Sequence, residues 1–212
     1  ADGTLTTLEG GDVTIVDEEV VLVGLGERST MEAARRLAAH LLPGGVRAVL
    51  AVKLPVARGF MHIDTLMSRI DEAHCLVFPP MIHTPERLGF GVRAFTAAGE
   101  EDMGANVLEA LRRVGVDLTP VACGGDDPIA QQREQWTDGA NAVALAPGVI
   151  VTYDRNDHTM RELNRVGYEA VTPDEFVANA TLFIEERRRV AVMLPGAELV
   201  RGCDSGVRVR EA

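Results

Sequence analysis

Val13-Thr14-Ile15-Val16, Asp17-Glu18-Glu19, Val20-Val21-Leu22-Val23-Gly24 is the stretch on which the fold turns. Two β-branched runs flank a three-residue acidic turn, the pattern of a β-hairpin. Ser29-Thr30 then offers an N-cap for a helix from Met31 to Leu42, where Ala and Leu recur at helical spacing, and Pro43-Gly44-Gly45 stops it. Val46 to Leu54 is another strand. The first unit therefore reads strand, strand, helix, strand. A single such unit cannot bury both faces of its sheet, so more of the chain must pack against it.

The pattern recurs. His62 to Ile70 and His74 to Pro79 read as two strands around Asp71-Glu72-Ala73. Asn106 to Val114 is a helix ending at Gly115, and Val116 to Ala122 is a strand. Asn141 to Leu145 and Val149 to Tyr153 pair around Pro147-Gly148. His158 to Val166 is a helix ending at Gly167, and Tyr168 to Val171 is a strand. Three such units, about 50 to 70 residues apart, make an internal repeat whose members stack around a centre. The fold class expected is α/β, one domain over residues 1–212. Glu185-Glu186-Arg187-Arg188-Arg189 reads as a solvated helix face.

Composition narrows the functions. The 212 residues are 46 % hydrophobic and 25 % charged, ordinary for a globular chain. A net charge of -11 argues against nucleic acid or an anionic membrane surface as partner, because phosphate contacts need clustered Lys and Arg. No apolar run approaches the roughly 18 residues of a membrane span. Three cysteines (Cys75, Cys123, Cys203) lack CxxC spacing, so neither a zinc site nor a disulfide framework is expected, and a cytoplasmic, reducing compartment is the simplest reading.

Two segments put ionisable groups where a plain strand would carry apolar ones. Leu8-Glu9-Gly10-Gly11-Asp12 places a carboxylate at a bend that glycines make cheap; it reads either as a group presented into a cavity or as an exposed turn residue. In Phe60-Met61-His62-Ile63-Asp64-Thr65-Leu66, His62 and Asp64 at i and i+2 of a strand would face one side, as a site pair or as a surface pair. A His near neutrality can both give and take a proton, and two carboxylates beside it suit a planar cation such as a guanidinium. Arg28, in Gly26-Glu27-Arg28-Ser29-Thr30, could grip a carboxylate with its fork or simply sit in an exposed loop. Cys203, in the turn-rich Arg201-Gly202-Cys203-Asp204-Ser205-Gly206, is the candidate nucleophile, whereas Cys75 and Cys123 fall in apolar strands and read as buried and inert. Asp138 reads as structural, and His40, His74, His83 and His158 as surface or capping residues.

Five ordered segments together resemble the arginine deiminases of the guanidino-group-modifying superfamily. They are Leu8 to Val13, Val23 to Thr30, Met61 to Thr65, Glu134 to Asn141 and Ala146 to Asn156. The resemblance implies a pentein-like α/β propeller of strand-strand-helix-strand units around a pseudo-fivefold axis, of which this chain holds part, with the N-terminal part of the family domain absent. It implies hydrolysis of L-arginine to L-citrulline and ammonia through a covalent amidino-cysteine, without metal or organic cofactor. Asp64 would bind the guanidinium, His62 would be the general acid and base, Glu9 would hold His62, and Arg28 would take the substrate carboxylate. Gly202 would belong to the final substrate-binding loop. Arg208 and Val209 stand where the family's nucleophilic cysteine is expected, and Cys203 stands nearby where the family often has an Arg. The competing reading is an inactive relative that binds arginine or another guanidino compound, or a subunit completed by a homo-oligomer or a complementing chain.

Overall fold

The computed structural model describes residues 6–196. The first unit consists of β1 (Val13–Ile15), β2 (Val20–Leu25), helix α1 (Met31–Leu41) and β3 (Ala48–Lys53). β1 runs antiparallel to β2 with Thr14 opposite Leu22, and β2 runs parallel to β3 with Leu22 opposite Leu50. The near-continuous apolar runs of β2 and β3 suit parallel strands covered on both faces. Alternation sorts their side chains: Val21, Val23, Val49 and Ala51 pack under Ala34 and Ala38 of α1, while Val20, Leu22, Leu50 and Val52 face the central core. Thr30 caps α1 by accepting a hydrogen bond from Ala33 N.

The second unit is β4 (Met67–Arg69), β5 (His74–Val77) and β8 (Thr119–Ala122), again antiparallel then parallel. Between β5 and β8 the chain does more than make one helix. Two short helices, α2 (Pro80–His83) and α3 (Pro85–Leu88), lead into a strand pair, β6 (Gly91–Thr96) and β7 (Gly99–Gly104), before α4 (Val107–Arg113). β6 joins the first unit's sheet, antiparallel to β3, so that sheet has the order β1-β2-β3-β6-β7. Helix α5 (Pro128–Trp136) then leads to the third unit: β9 (Val143–Ala146), β10 (Val149–Tyr153), α6 (Asp157–Arg165), β11 (Glu169–Val171), α7 (Pro173–Glu185) and β12 (Val190–Leu194). Its sheet order is β11-β12-β10-β9.

Two expectations are corrected and one is borne out. The strand expected from His62 to Ile70 begins only at Met67, because Ile63–Thr65 forms a 3-10 turn closed by Thr65 N and Oγ1 donating to His62 O. The strand expected at residues 168–171 forms as β11, and it pairs with β12, which lies between it and β10. The charge run is not one helix face: α7 ends at Glu185, Arg187 takes a left-handed conformation with φ of 50°, and Arg188 and Arg189 lead into β12.

The second and third units are joined through a buried charge. Asp71 in the β4–β5 turn accepts from Ala73 N, His74 N and His74 Nδ1, and meets Arg189 Nε at 3.2 Å and Tyr168 Oη at 3.3 Å. Burial raises its carboxyl, but the hydrogen bonds from Ala73 and His74 outweigh it and hold the group below the ordinary range. His74, expected as a surface or capping residue, is thus tied to Asp71. Cys75 and Cys123 are both buried, and burial pushes the Cys75 thiol up to about 12. Among the described residues no helix is long and apolar enough to cross a membrane.

Candidate active site

Three separate segments converge at one end of the first sheet. The first is the 3-10 turn Gly10–Asp12, with Glu9 as its N-cap. The second is the loop after β2 that carries Arg28 and Ser29. The third is Met61 to Asp64, leading into the 3-10 turn before β4. His62 is fully buried, and its Nε2 lies 2.7 Å from Glu9 Oε2 across 53 residues of sequence. Arg28 Nη1 donates to the same oxygen at 3.1 Å, and Arg28 Nη2 contacts Met61 Sδ at 3.6 Å. The His62 and Arg28 hydrogen bonds hold the Glu9 carboxyl below its usual range even though it is part-exposed.

Asp64 stands on the other side of the same bend. His62 and Asp64 share a site, but not by strand alternation: the turn puts both against the bare Cα of Gly11. A methyl group there would lie 2.8 Å from His62 Cγ and Nδ1 and 3.0 Å from Asp64 Oδ2. Burial raises the Asp64 carboxyl to about 6; His62 partly offsets this, and the nearby Asp12 and Asp138 carboxylates add to it. His62 Nδ1 and Asp64 Oδ1 are both buried with no hydrogen-bond partner among the described residues. Buried polar atoms are nearly always paired, and two unpaired ones on side chains packed against one glycine point to a place for a ligand. Asp64 Oδ1 can accept from a cationic N–H. Nδ1 of His62 is the ring nitrogen left over once Nε2–H is given to Glu9.

Gln135 of α5 fastens the segment from the far side: its Nε2 donates to Gly59 O at 2.7 Å and Thr65 O at 3.3 Å, bracketing the His62–Asp64 turn. Beside it lies an apolar groove of about 800 Å³, lined by Gly59, Phe60, Phe78, Leu88, Gln135 and Trp136. Asp138, read from sequence as structural, has a positive φ of 61° and stands 3.9 Å from Arg155, with its charge felt at Asp64. Glu9, Arg28, His62 and Asp64 are therefore gathered in one place. Arg28 is less open than expected, since one N–H already goes to Glu9. Cys203 and Gly202 lie outside the described residues. Among those residues no cluster of three or more His, Cys, Asp and Glu side chains is placed to hold a metal ion.

Sequence reasoning missed Asp12 and the inward-turned Ser29. Asp12 is wholly buried and accepts from Ser29 Oγ at 2.6 Å and Ile63 N at 3.1 Å. The available signal was Gly24, a lone gap in the apolar run of β2, which leaves room for that carboxylate.

Comparison with known proteins shows the family. The family model described as arginine deiminase matches residues 1–178. The chain is 37 % identical over 168 residues to arginine deiminase of Listeria welshimeri, covering 76 % of this chain and 41 % of that protein. It is 39 % identical over 157 residues to that of Listeria monocytogenes (71 % and 38 %), and 36 % identical over 173 residues to that of Bacillus thuringiensis (77 % and 42 %). The chain belongs to the arginine deiminase family, whose members are hydrolases of guanidino groups. It spans about two fifths of the length of these curated relatives. Among solved structures, the fold is similar to DDAH from Pseudomonas aeruginosa, a cysteine-to-serine mutant complexed with citrulline (TM-score 0.50, 15 % identity, 88 % of this chain and 49 % of that one). It is also similar to unliganded AgrE (TM-score 0.50, 14 % identity, 87 % and 20 %). At that identity the likeness speaks for the α/β pentein-like fold with its mixed sheets and for nothing further.

Proposed function

We propose that this chain carries the catalytic centre of an arginine deiminase, hydrolysing L-arginine to L-citrulline and ammonia. One observation carries the reading: a single oxygen of Glu9 is shared by His62 and Arg28, with Asp64 packed against the same glycine and holding an unpaired buried oxygen. The Asp64 carboxylate binds the guanidinium N–H groups, and the cation in turn draws Asp64 into its ionised form. The Cys203 thiolate attacks the guanidinium carbon. A C–S bond forms, and the C–N bond breaks as His62 protonates the departing ammonia. His62 then takes a proton from water, the resulting hydroxide adds to the amidino carbon, and the thiolate leaves to release citrulline. Glu9 holds His62 in orientation throughout, and Arg28 meets the substrate carboxylate once part of its fork is freed. Gly202, beside Cys203 in sequence, is read as a substrate-binding residue.

Support for Cys203 as nucleophile comes from the sequence: it lies in the turn-rich stretch Arg201 to Gly206, whereas Cys75 and Cys123 fall in apolar strands. The ββαβ units are read as an arc of an α/β propeller within one catalytic domain. They are completed by further family-domain sequence, by a homo-oligomer or by a complementing chain, and the protein is read as cytoplasmic.

The second reading is an inactive relative that binds arginine or another guanidino compound. It is favoured by Arg208 and Val209 standing where the family's cysteine is expected. Citrulline production from L-arginine by the folded chain, measured beside Cys203→Ser, separates the two. Turnover lost in the variant supports the first reading. Absence of turnover in a chain that still binds arginine supports the second.

A further inference from the structure

We propose that Asp12, acting through Ser29, is the positioning residue that sets the Glu9–His62 alignment. The inference rests on the deiminase reading of that pair. Asp12 has no accessible surface and touches neither Glu9 nor His62 through any hydrogen bond of its own side chain to theirs. It holds their neighbours. Oδ1 accepts from Ile63 N at 3.1 Å, which fixes the peptide leaving His62. Oδ2 accepts from Ser29 Oγ at 2.6 Å, and that hydroxyl accepts from Glu9 N at 3.0 Å.

Every link in this chain has one direction. The Ser29 hydroxyl has a single proton, given to Asp12, so its lone pairs are free to fix the Glu9 amide. A carboxylate with two acceptor oxygens is what can serve Ser29 and Ile63 together. The cost of burying that group is visible, since burial pushes its carboxyl above the ordinary value. The backbone has been shaped for it. The Cα of Gly24 lies so near that a methyl group would sit 2.3 Å from Asp12 Oδ1. A buried carboxylate that carries no substrate contact, yet joins all three segments of the site, costs stability that an apolar residue there would not. What it supplies is a fixed angle between Glu9 and His62.

Ser29→Ala and Asp12→Asn test this by a readout independent of turnover. The Nε2–H signal of His62 in proton NMR reports its 2.7 Å contact with Glu9. Glu9→Gln marks where that signal falls when the charged acceptor is lost. We expect both variants to stay folded and to move the signal most of the way to the Glu9→Gln position. Where the parent turns over arginine, kcat should fall about 100-fold while KM changes less than about threefold, the pattern of a misplaced group rather than of lost binding. An unmoved His62 signal in folded variants would overturn the proposal. So would unfolding of both, which would make Asp12 and Ser29 stability residues only. A parent without turnover leaves the NMR result standing and sinks the deiminase reading instead.

Discussion

Gly24 lies directly beneath the carboxylate of Asp12, with no space for even one added carbon between them. An added Cβ would sit 2.3 Å from Asp12 Oδ1 and 3.0 Å from Ile63 Cβ. Asp12 cannot retreat without losing Ser29 or Ile63 N, and Ile63 is itself fully buried. Gly24→Ala should therefore destabilise the chain by about 2 to 3 kcal/mol, the upper part of the usual overpacking range. Urea unfolding measures it. A double variant that also carries Asp12→Ala should recover part of that loss, because the two residues share one space. A Gly24→Ala protein as stable as the parent would mean that the strand yields freely here.

Asp64 gives the site a pH dependence of definite sign. Its folded value of about 6 exceeds the ordinary 3.8, so between these values the folded chain holds more protons than the unfolded one. Its favourable contribution is complete below about pH 4 and is lost as pH rises through 6. Asp64→Asn removes that penalty. The variant should be more stable than the parent above pH 6, by an amount on the order of 3 kcal/mol, and no more stable below pH 4. The same ionisation should govern ligand affinity. Binding of L-arginine, followed by calorimetry, should weaken about tenfold per pH unit below 6. A stability difference that does not vary with pH would contradict this.

Glu134 caps a helix to which it does not belong. Its Oε1 accepts from His158 N at 2.8 Å, and its Oε2 accepts from both Thr159 N and Thr159 Oγ1 at 2.7 Å. These are first-turn groups of α6, whose own N-cap residue Asn156 makes no side-chain cap. A buried carboxylate at a helix N-terminus meets both the free N–H groups and the positive end of the dipole. Glu134→Ala should cost about 3 kcal/mol, read as a lower Tm and faster amide exchange in α6, with Glu134→Gln intermediate. An unchanged exchange rate in α6 would contradict the cap.

Sequence made the repeat legible where apolar runs and caps agreed. β2, β3, β10, α1 and α4 fall close to their expected bounds because Thr30 and Asn106 do the capping and Val-rich runs fill both faces. The β6–β7 pair was not legible. Glu100, Glu101 and Asp102 are poor strand formers, and β7 is held by its pairing with β6 and by Arg35 and Arg93 around Glu100. Helix α5 was missed because its inward residues include Glu134 and Gln135, so it shows little apolar stripe. In the site, Glu9, His62 and Asp64 were visible as out-of-place ionisable groups. Asp12 was not, because what explains it is a backbone N–H 51 residues away.

The visit of β6 and β7 to the first sheet bears on how the chain is made. During synthesis the open edge of β3 at Ala48–Lys53 finds no partner until Gly91–Thr96 has left the ribosome. By then β4 and β5 have already emerged. The first sheet therefore cannot close until β4 and β5 have been made, though β8 of the second unit is still to come, and β3 is a bare edge in the interval.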